Sequence, residues 1–226
     1  FSSDGTRVMT GDLASAATTI WNVTLYGDAE VANLPSVSVT TAAVAFAPDG
    51  RRLAATSADG SVTVWDANDF TPMRTLGGPP GSPPPPTQVG SPFPPVTSLG
   101  DAFSIDVSRD GRLVAVARFD GTVRVWDVET GEDAFTVRAG PTFPRERWMD
   151  VTWNRAGDLL AVATNDGTTG RVTVLDRSGR EVAVLQEAYG IAVGGVAFSP
   201  DGEQLITTRL PTVESEPDDG QVVIWD

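Results

Sequence analysis

The chain has 226 residues, 16 of them basic and 30 acidic, for a formal net charge of −14, and it contains neither His nor Cys; every basic residue is Arg. These absences exclude thiolate nucleophiles, Ser-His and Cys-His pairs, Schiff-base lysines and zinc sites of the usual Cys/His kind, leaving carboxylates, Ser/Thr, Tyr and Arg for any chemistry. The negative charge opposes nucleic acid and anionic lipid, and no run approaches the ~18 apolar residues of a membrane span or the basic-then-apolar form of a signal segment.

With 40% apolar residues the chain can bury a real core. Its predicted elements repeat in one order from the first residue. The opening FSSDG at Phe1 returns as FAPDG at Phe46, VSRDG at Val107, WNRAG at Trp153 and FSPDG at Phe198. The turn glycines Gly5, Gly50, Gly111, Gly157 and Gly202 lie 45, 61, 46 and 45 residues apart. The long interval holds an insertion, residues 77–95, with nine of the 17 prolines. Removing about 16 residues there restores the ~40 to 45 residue period of propeller blades.

After each turn comes a strand, such as Arg52 to Ser57 or Leu113 to Arg118, closed by a second Asp-Gly turn at Asp59, Asp120, Asp166 or Asp219. Asp-Gly suits tight hairpins because Gly accepts positive φ and Asp hydrogen-bonds the local backbone. Next is an alternating strand ending in TTIWN (Trp21), VTVWD (Trp65), VRVWD (Trp126), VTVLD (Leu175) or VVIWD (Trp225). A weaker fourth strand follows, as at Met73 to Leu76, Ala134 to Arg138 and Val182 to Gln186.

Four short antiparallel strands per repeat without helical periodicity predict an all-β propeller of five repeats. The blades divide at about 1–41 (partial), 42–76, 101–147, 148–192 and 193–226, the last without its fourth strand, with the Pro-rich insertion at 77–100. Phe1 sits at the end of an innermost strand, so the expectation is an incomplete, open part of a larger propeller.

The segments FAPDGRRLAATSADGSVTVWD (Phe46 to Asp66) and VSRDGRLVAVARFDGTVRVWDVETG (Val107 to Gly131) resemble blades of the WD-repeat β-propeller family. The resemblance covers nearly the whole chain, and four of the five closing strands keep the Trp. Many repeats of that family join a His, a Ser/Thr of the second strand, the Asp of the second turn and the closing Trp by hydrogen bonds. Here every His is missing; blade two keeps Thr56, Ser57, Asp59 and Trp65, whereas blade three has Ala117 and Arg118 with Asp120 and Trp126. Polar zippering is therefore expected to be incomplete, with blade stability resting more on apolar packing at about 25 cal/mol per Å².

The resemblance implies a non-catalytic protein-protein interaction module, a scaffold or a sensor, binding a protein or peptide. Arginine as the sole basic residue and the small-residue-rich composition point to a bacterial source. Bacterial repeats of this style resemble the sensor or scaffold ends of larger cytoplasmic signalling proteins. The alternative is a propeller enzyme, a hydrolase or lactonase, with a carboxylate-lined central site. No catalytic, cofactor or metal residue is assigned.

In a four-strand meander the turns from first to second and third to fourth strands open on one face, and all other connections on the opposite face. The first face reads as tight. The long segments belong to the second: Gly27 to Thr40, Gly77 to Gly100, Ala139 to Arg147 and Glu187 to Val193 between blades, and Gly11 to Ala17, Thr164 to Arg171 and Arg209 to Gly220 within them. Length on one face of a repeat array marks a binding face or simply the place where loops disturb packing least. The candidates there are Phe143, Arg145, Arg147 and Trp148 in PTFPRERWMD, with Phe93 and Tyr189. Aromatic and Arg anchors dominate interface energetics; Trp148 has a second reading, packed beneath its loop. The acidic run Glu214, Glu216, Asp218 and Asp219 reads as a cation or basic-peptide attractor or as a solvated hairpin. The recurring second-turn aspartates read as turn chemistry and not as a catalytic ring.

Overall fold

A computed structural model describes residues 1–11, 17–23, 29–35, 41–57, 60–77, 102–118, 121–138, 149–165, 169–186, 191–211 and 221–226. They form five antiparallel sheets in chain order, with no helix among the described residues. The first sheet has β1 (Arg7–Gly11), β2 (Ala17–Asn22) and β3 (Ala29–Pro35). The second has β4 (Thr41–Phe46), β5 (Arg52–Ser57), β6 (Val62–Asp66) and β7 (Pro72–Leu76). The third has β8 (Ala102–Val107), β9 (Leu113–Arg118), β10 (Thr122–Asp127) and β11 (Asp133–Arg138). The fourth has β12 (Met149–Trp153), β13 (Leu159–Asn165), β14 (Gly170–Asp176) and β15 (Glu181–Gln186). The fifth has β16 (Ile191–Phe198), β17 (Leu205–Pro211) and β18 (Gln221–Trp225).

The turns that start each repeat form for a local reason. In four of them an Asp carboxylate accepts the N–H two residues on: Asp4 from Thr6 (3.0 Å), Asp49 from Arg51 (2.9 Å), Asp110 from Arg112 (3.1 Å) and Asp201 from Glu203 (3.1 Å). The following glycines, from Gly5 to Gly202, take φ between 69° and 81°, the left-handed region that a Cβ disfavours. The fourth repeat does the same work with Asn154, whose Oδ1 accepts from Gly157, Asp158 and Leu159.

The closing aromatic residue occupies one register position throughout. Trp21, Trp65, Trp126, Leu175 and Trp225 lie opposite Val8, Leu53, Val114, Leu160 and Leu205 of the second strands. In the first four sheets the pairing of third with fourth strand slips just before that residue, so that Val31, Met73, Ala134 and Val182 bulge outward. Each of these side chains stays exposed at the rim.

Strand alternation gives every sheet two apolar faces, and neighbouring sheets interdigitate. Ala54, Val62, Val64 and Leu76 of the second sheet meet Val107, Val114, Val116 and Trp126 of the third. The third meets Leu160, Val162 and Leu175 of the fourth through Ala115, Val123 and Val125. Trp65 and Trp225 make the same approach to the sheets that precede them. The chain is thus a radial arc of blades. Among the described residues β1 pairs only with β2 and β18 only with β17, so the arc is not closed by strand pairing.

The segment Gly27 to Thr40, read from sequence as one long connection, instead contains β3. The signal was present: Glu30-Val31-Ala32-Asn33-Leu34 matches Glu181-Val182-Ala183-Val184-Leu185 of β15, but Ala32 and Asn33 dilute the β-branched pattern. Thr164 to Arg171 also shrinks, because β13 runs to Asn165 and β14 starts at Gly170.

Candidate interaction face and inner strands

The tight-turn face is built from capped turns and cross-blade arginines. In the three middle blades the Asp that follows the closing residue caps the turn into the fourth strand: Asp66 accepts from Asn68 (2.7 Å), Asp127 from Glu129 (2.8 Å) and Asp176 from Ser178 (2.9 Å). Asp176 is held well below the usual carboxylate range by the Ser178 hydroxyl and then the Arg180 guanidinium. Asp4 falls to about 2 through the Ser2 hydroxyl and Thr6. Arginines then reach the neighbouring blade's carbonyls: Arg7 to Ala67 (2.8 Å), Arg52 to Gly111 (2.6 Å), Arg74 to Glu129 (2.9 Å) and Arg155 to Pro200 (3.2 Å). Arg177 crosses the other way to Asp110 (3.0 Å).

Within blades, the Trp-to-Thr arm of the hydrogen-bond network survives in two places. Trp21 Nε1 donates to Thr10 Oγ1 (2.9 Å) and Trp225 Nε1 to Thr207 Oγ1 (3.0 Å). The matching second-strand positions in the other blades are Ala55, Val116 and Val162, whose side chains have no atom to accept a hydrogen bond.

The opposite face receives the remaining connections. Phe93, Phe143, Arg145, Arg147, Trp148, Tyr189, Glu214, Glu216 and Asp218 all lie outside the described residues, as do Asp59, Asp120, Asp166 and Asp219. What is described is the framework beneath them. Gly60 and Gly121, just after Asp59 and Asp120, have φ of 79° and 83° and return hydrogen bonds to Ser57 and Arg118.

Three residues of the innermost strands escaped the sequence reading. Asp106 of β8 accepts from the main-chain N–H of Trp153 on β12 (2.7 Å) and of Val107 (2.8 Å). Asp150 of β12 accepts from the Ser104 hydroxyl on β8 (2.7 Å) and from the N–H of Val196 on β16 (3.1 Å). An innermost strand has one sheet neighbour, so alternate N–H groups face away from it and need another acceptor. Burial pushes the Asp106 carboxyl up to about 6, against the pull of Trp153, Val107 and Thr152 and with a small push from Asp150. The visible clue was polar residues in strands that are apolar elsewhere: FSIDV and MDVTW beside VAF and VGGVAF. These are the carboxylates a central catalytic site would need, and their oxygens are engaged by main-chain and hydroxyl donors. Among the described residues no cluster of three or more Asp or Glu could hold a metal ion. Nor is any helix among the described residues long and apolar enough to cross a membrane.

Radially packed antiparallel blades, a recurring closing Trp-Asp and Asp-capped turns define the WD type of β-propeller. The family description "WD domain, G-beta repeat" matches residues 35–66, 94–127 and 179–226, together half of the chain. The chain belongs to the WD-repeat family. It is similar to the Periodic tryptophan protein 2 homolog of Caenorhabditis elegans, 24% identical over 57% of this chain and 13% of that protein. It is 30% identical to Telomerase protein component 1 of Mus musculus over 72% of this chain and 5% of that protein. A WD repeat-containing protein of Synechocystis is 29% identical over 48% of this chain and 29% of its own length. The chain thus spans less than a third of the curated relatives it matches. A Kuenenia stuttgartiensis hydrazine synthase chain shares the fold at TM-score 0.71 and 21% identity, over 99% of this chain and 60% of that one.

Proposed function

We propose that this chain is a non-catalytic interaction module, the scaffold or sensor part of a larger bacterial signalling protein in the cytoplasm, and that it binds a protein or peptide. Its binding surface is the face opposite the capped turns, centred on Phe143, Arg145, Arg147 and Trp148, with Phe93, Tyr189, Glu214, Glu216 and Asp218 as further contacts. The observation that supports this reading is the asymmetry of the two faces. One is committed to short turns and cross-blade arginine bonds, whereas the other receives the connections 77–101, 139–148 and 212–220. Loops on a rigid scaffold are where repeat arrays carry recognition. The engaged inner carboxylates count against the hydrolase alternative. The charge of −14 favours a protein or peptide with basic character over nucleic acid.

The test is a pull-down from the source organism, followed by affinity measurements on Arg147→Ala, Trp148→Ala and Arg51→Ala. Arg51 is the control because its side chain is exposed on the capped-turn face; Arg177 is unsuitable, since it ties two blades. Loss of a true anchor weakens binding by more than ~2 kcal/mol. Unchanged affinity in both loop variants, or loss only with Arg51→Ala, overturns the proposal.

A further inference from the structure

We infer that Asp150 is a positioning residue of the candidate binding face, fixing β8, β12 and β16 relative to one another. Those three strands receive the connections 77–101, 139–148 and 187–190. The inference rests on the reading of that face as the one that binds.

The geometry is that of a single carboxylate shared by three consecutive blades. Oδ1 accepts from the Ser104 hydroxyl of the preceding blade (2.7 Å) and from the Val151 N–H (3.0 Å). Oδ2 accepts from the Val196 N–H of the following blade (3.1 Å). Both neighbours lie 46 residues away in the chain. Ser104 is the third residue of β8, Asp150 the second of β12, and Val196 follows the register slip between Val193 and Gly195 in β16. Ser104 and Asp150 thus lie near the starts of their strands, whereas Val196, the sixth of the eight residues of β16, stands one register step past the same level because β16 begins earlier.

The position is special to this blade. Ser104, Asp150 and Gly195 stand in the same register, opposite Ala117, Ala163 and Thr208, and Asp150 is the one whose side chain reaches both ways. Gly195 carries no side chain there, and the Oδ2 oxygen lies 3.6 Å from where its Cβ would be. A carboxylate receiving two main-chain N–H groups and a hydroxyl holds its partners more firmly than neutral pairs would. Asp106, by contrast, joins only two blades and does so closer to the capped turns.

Hydrogen exchange followed by mass spectrometry on the whole chain tests this without a partner. In Asp150→Ala the Val196 amide and the starts of β8 and β12 are expected to exchange about tenfold faster or more, the scale of a lost charge-assisted hydrogen bond. The capped-turn amides and the far-UV circular dichroism should be unchanged at the same temperature. Asp106→Ala is expected to release the Trp153 amide and leave β16 alone. Should Asp150→Ala fail to fold, Asp150→Asn keeps the shape but swaps one acceptor oxygen for an amino group, and faster exchange at Val196 is again expected. Faster exchange confined to the fourth blade, or spread equally over all five, overturns the inference. A face that binds nothing would be revealed by the loop variants above, and a carboxylate that positions nothing by the exchange pattern, so the two failures are distinguishable.

Discussion

Asp106 carries an energetic cost that the turn aspartates do not. Asp4, Asp69 and Asp201 sit in solvent and are lowered by local hydroxyl and N–H donors, whereas Asp106 is moved inward and its carboxyl rises from 3.8 to about 6. The folded state therefore holds this proton more tightly than the unfolded chain. The resulting stability is fully present below pH 3.8 and is lost as pH rises through 6, a change on the order of 2 to 3 kcal/mol. The lowered turn carboxylates act in the opposite sense, losing their contribution as pH falls below the ordinary carboxylate value. Urea unfolding between pH 4 and 7 should show stability falling with pH in the wild type and a flatter profile in Asp106→Asn. An unchanged slope in the variant would place the titration elsewhere. The turn aspartates were legible in the sequence because each partner lies two residues away. Asp106 was not, because its partner Trp153 is 47 residues distant and neither residue alone signals the other.

At the scale of elements, each blade repeats a second strand opposite a closing residue, and the first four add a fourth strand bulged beside it. Sequence period two finds the buried third strand easily. It finds the fourth poorly, because a rim strand is packed on one side only and tolerates Asn33 or Arg74. Phe70 shows how far packing overrides local preference. It holds φ of 62° where the other blades place Gly131 or Gly179, and Arg7 stacks on its ring at 5.5 Å. Blade-to-blade order is reinforced by arginines at the turns, and two adjacent residues separate that role from simple charge. Arg52 has an 18% exposed side chain and donates to the Gly111 carbonyl, whereas Arg51 is exposed. Arg52→Met should cost about 1 to 2 kcal/mol in chemical denaturation, through a lost charged hydrogen bond across blades. Arg51→Met should stay within ~0.5 kcal/mol. Equal effects would mean that the cross-blade bond contributes nothing.

For the molecule as a whole, the same residue type in the same register has different weight along the arc. Val64 and Ile224 both precede a closing Trp, yet Val64 is 1% exposed between two blades and Ile224 is 59% exposed on the outer face of the fifth sheet. Val64→Ala should cost about 2 kcal/mol, lost transfer energy plus a cavity, and Ile224→Ala should remain within ~0.5 kcal/mol. A comparable loss in both, measured on the 226-residue chain, would show that the fifth sheet's outer face is covered in solution. The sequence by itself determined the repeat, the capped turns, the third strands and the family, because each depends on contacts within a few residues or on a pattern repeated every blade. Tertiary structure alone decided which polar groups join the blades. Arg52, Ser104, Asp106 and Asp150 find their partners about a repeat away, across sheets whose approach is set by apolar packing, and a single strand read in isolation contains neither that distance nor that direction.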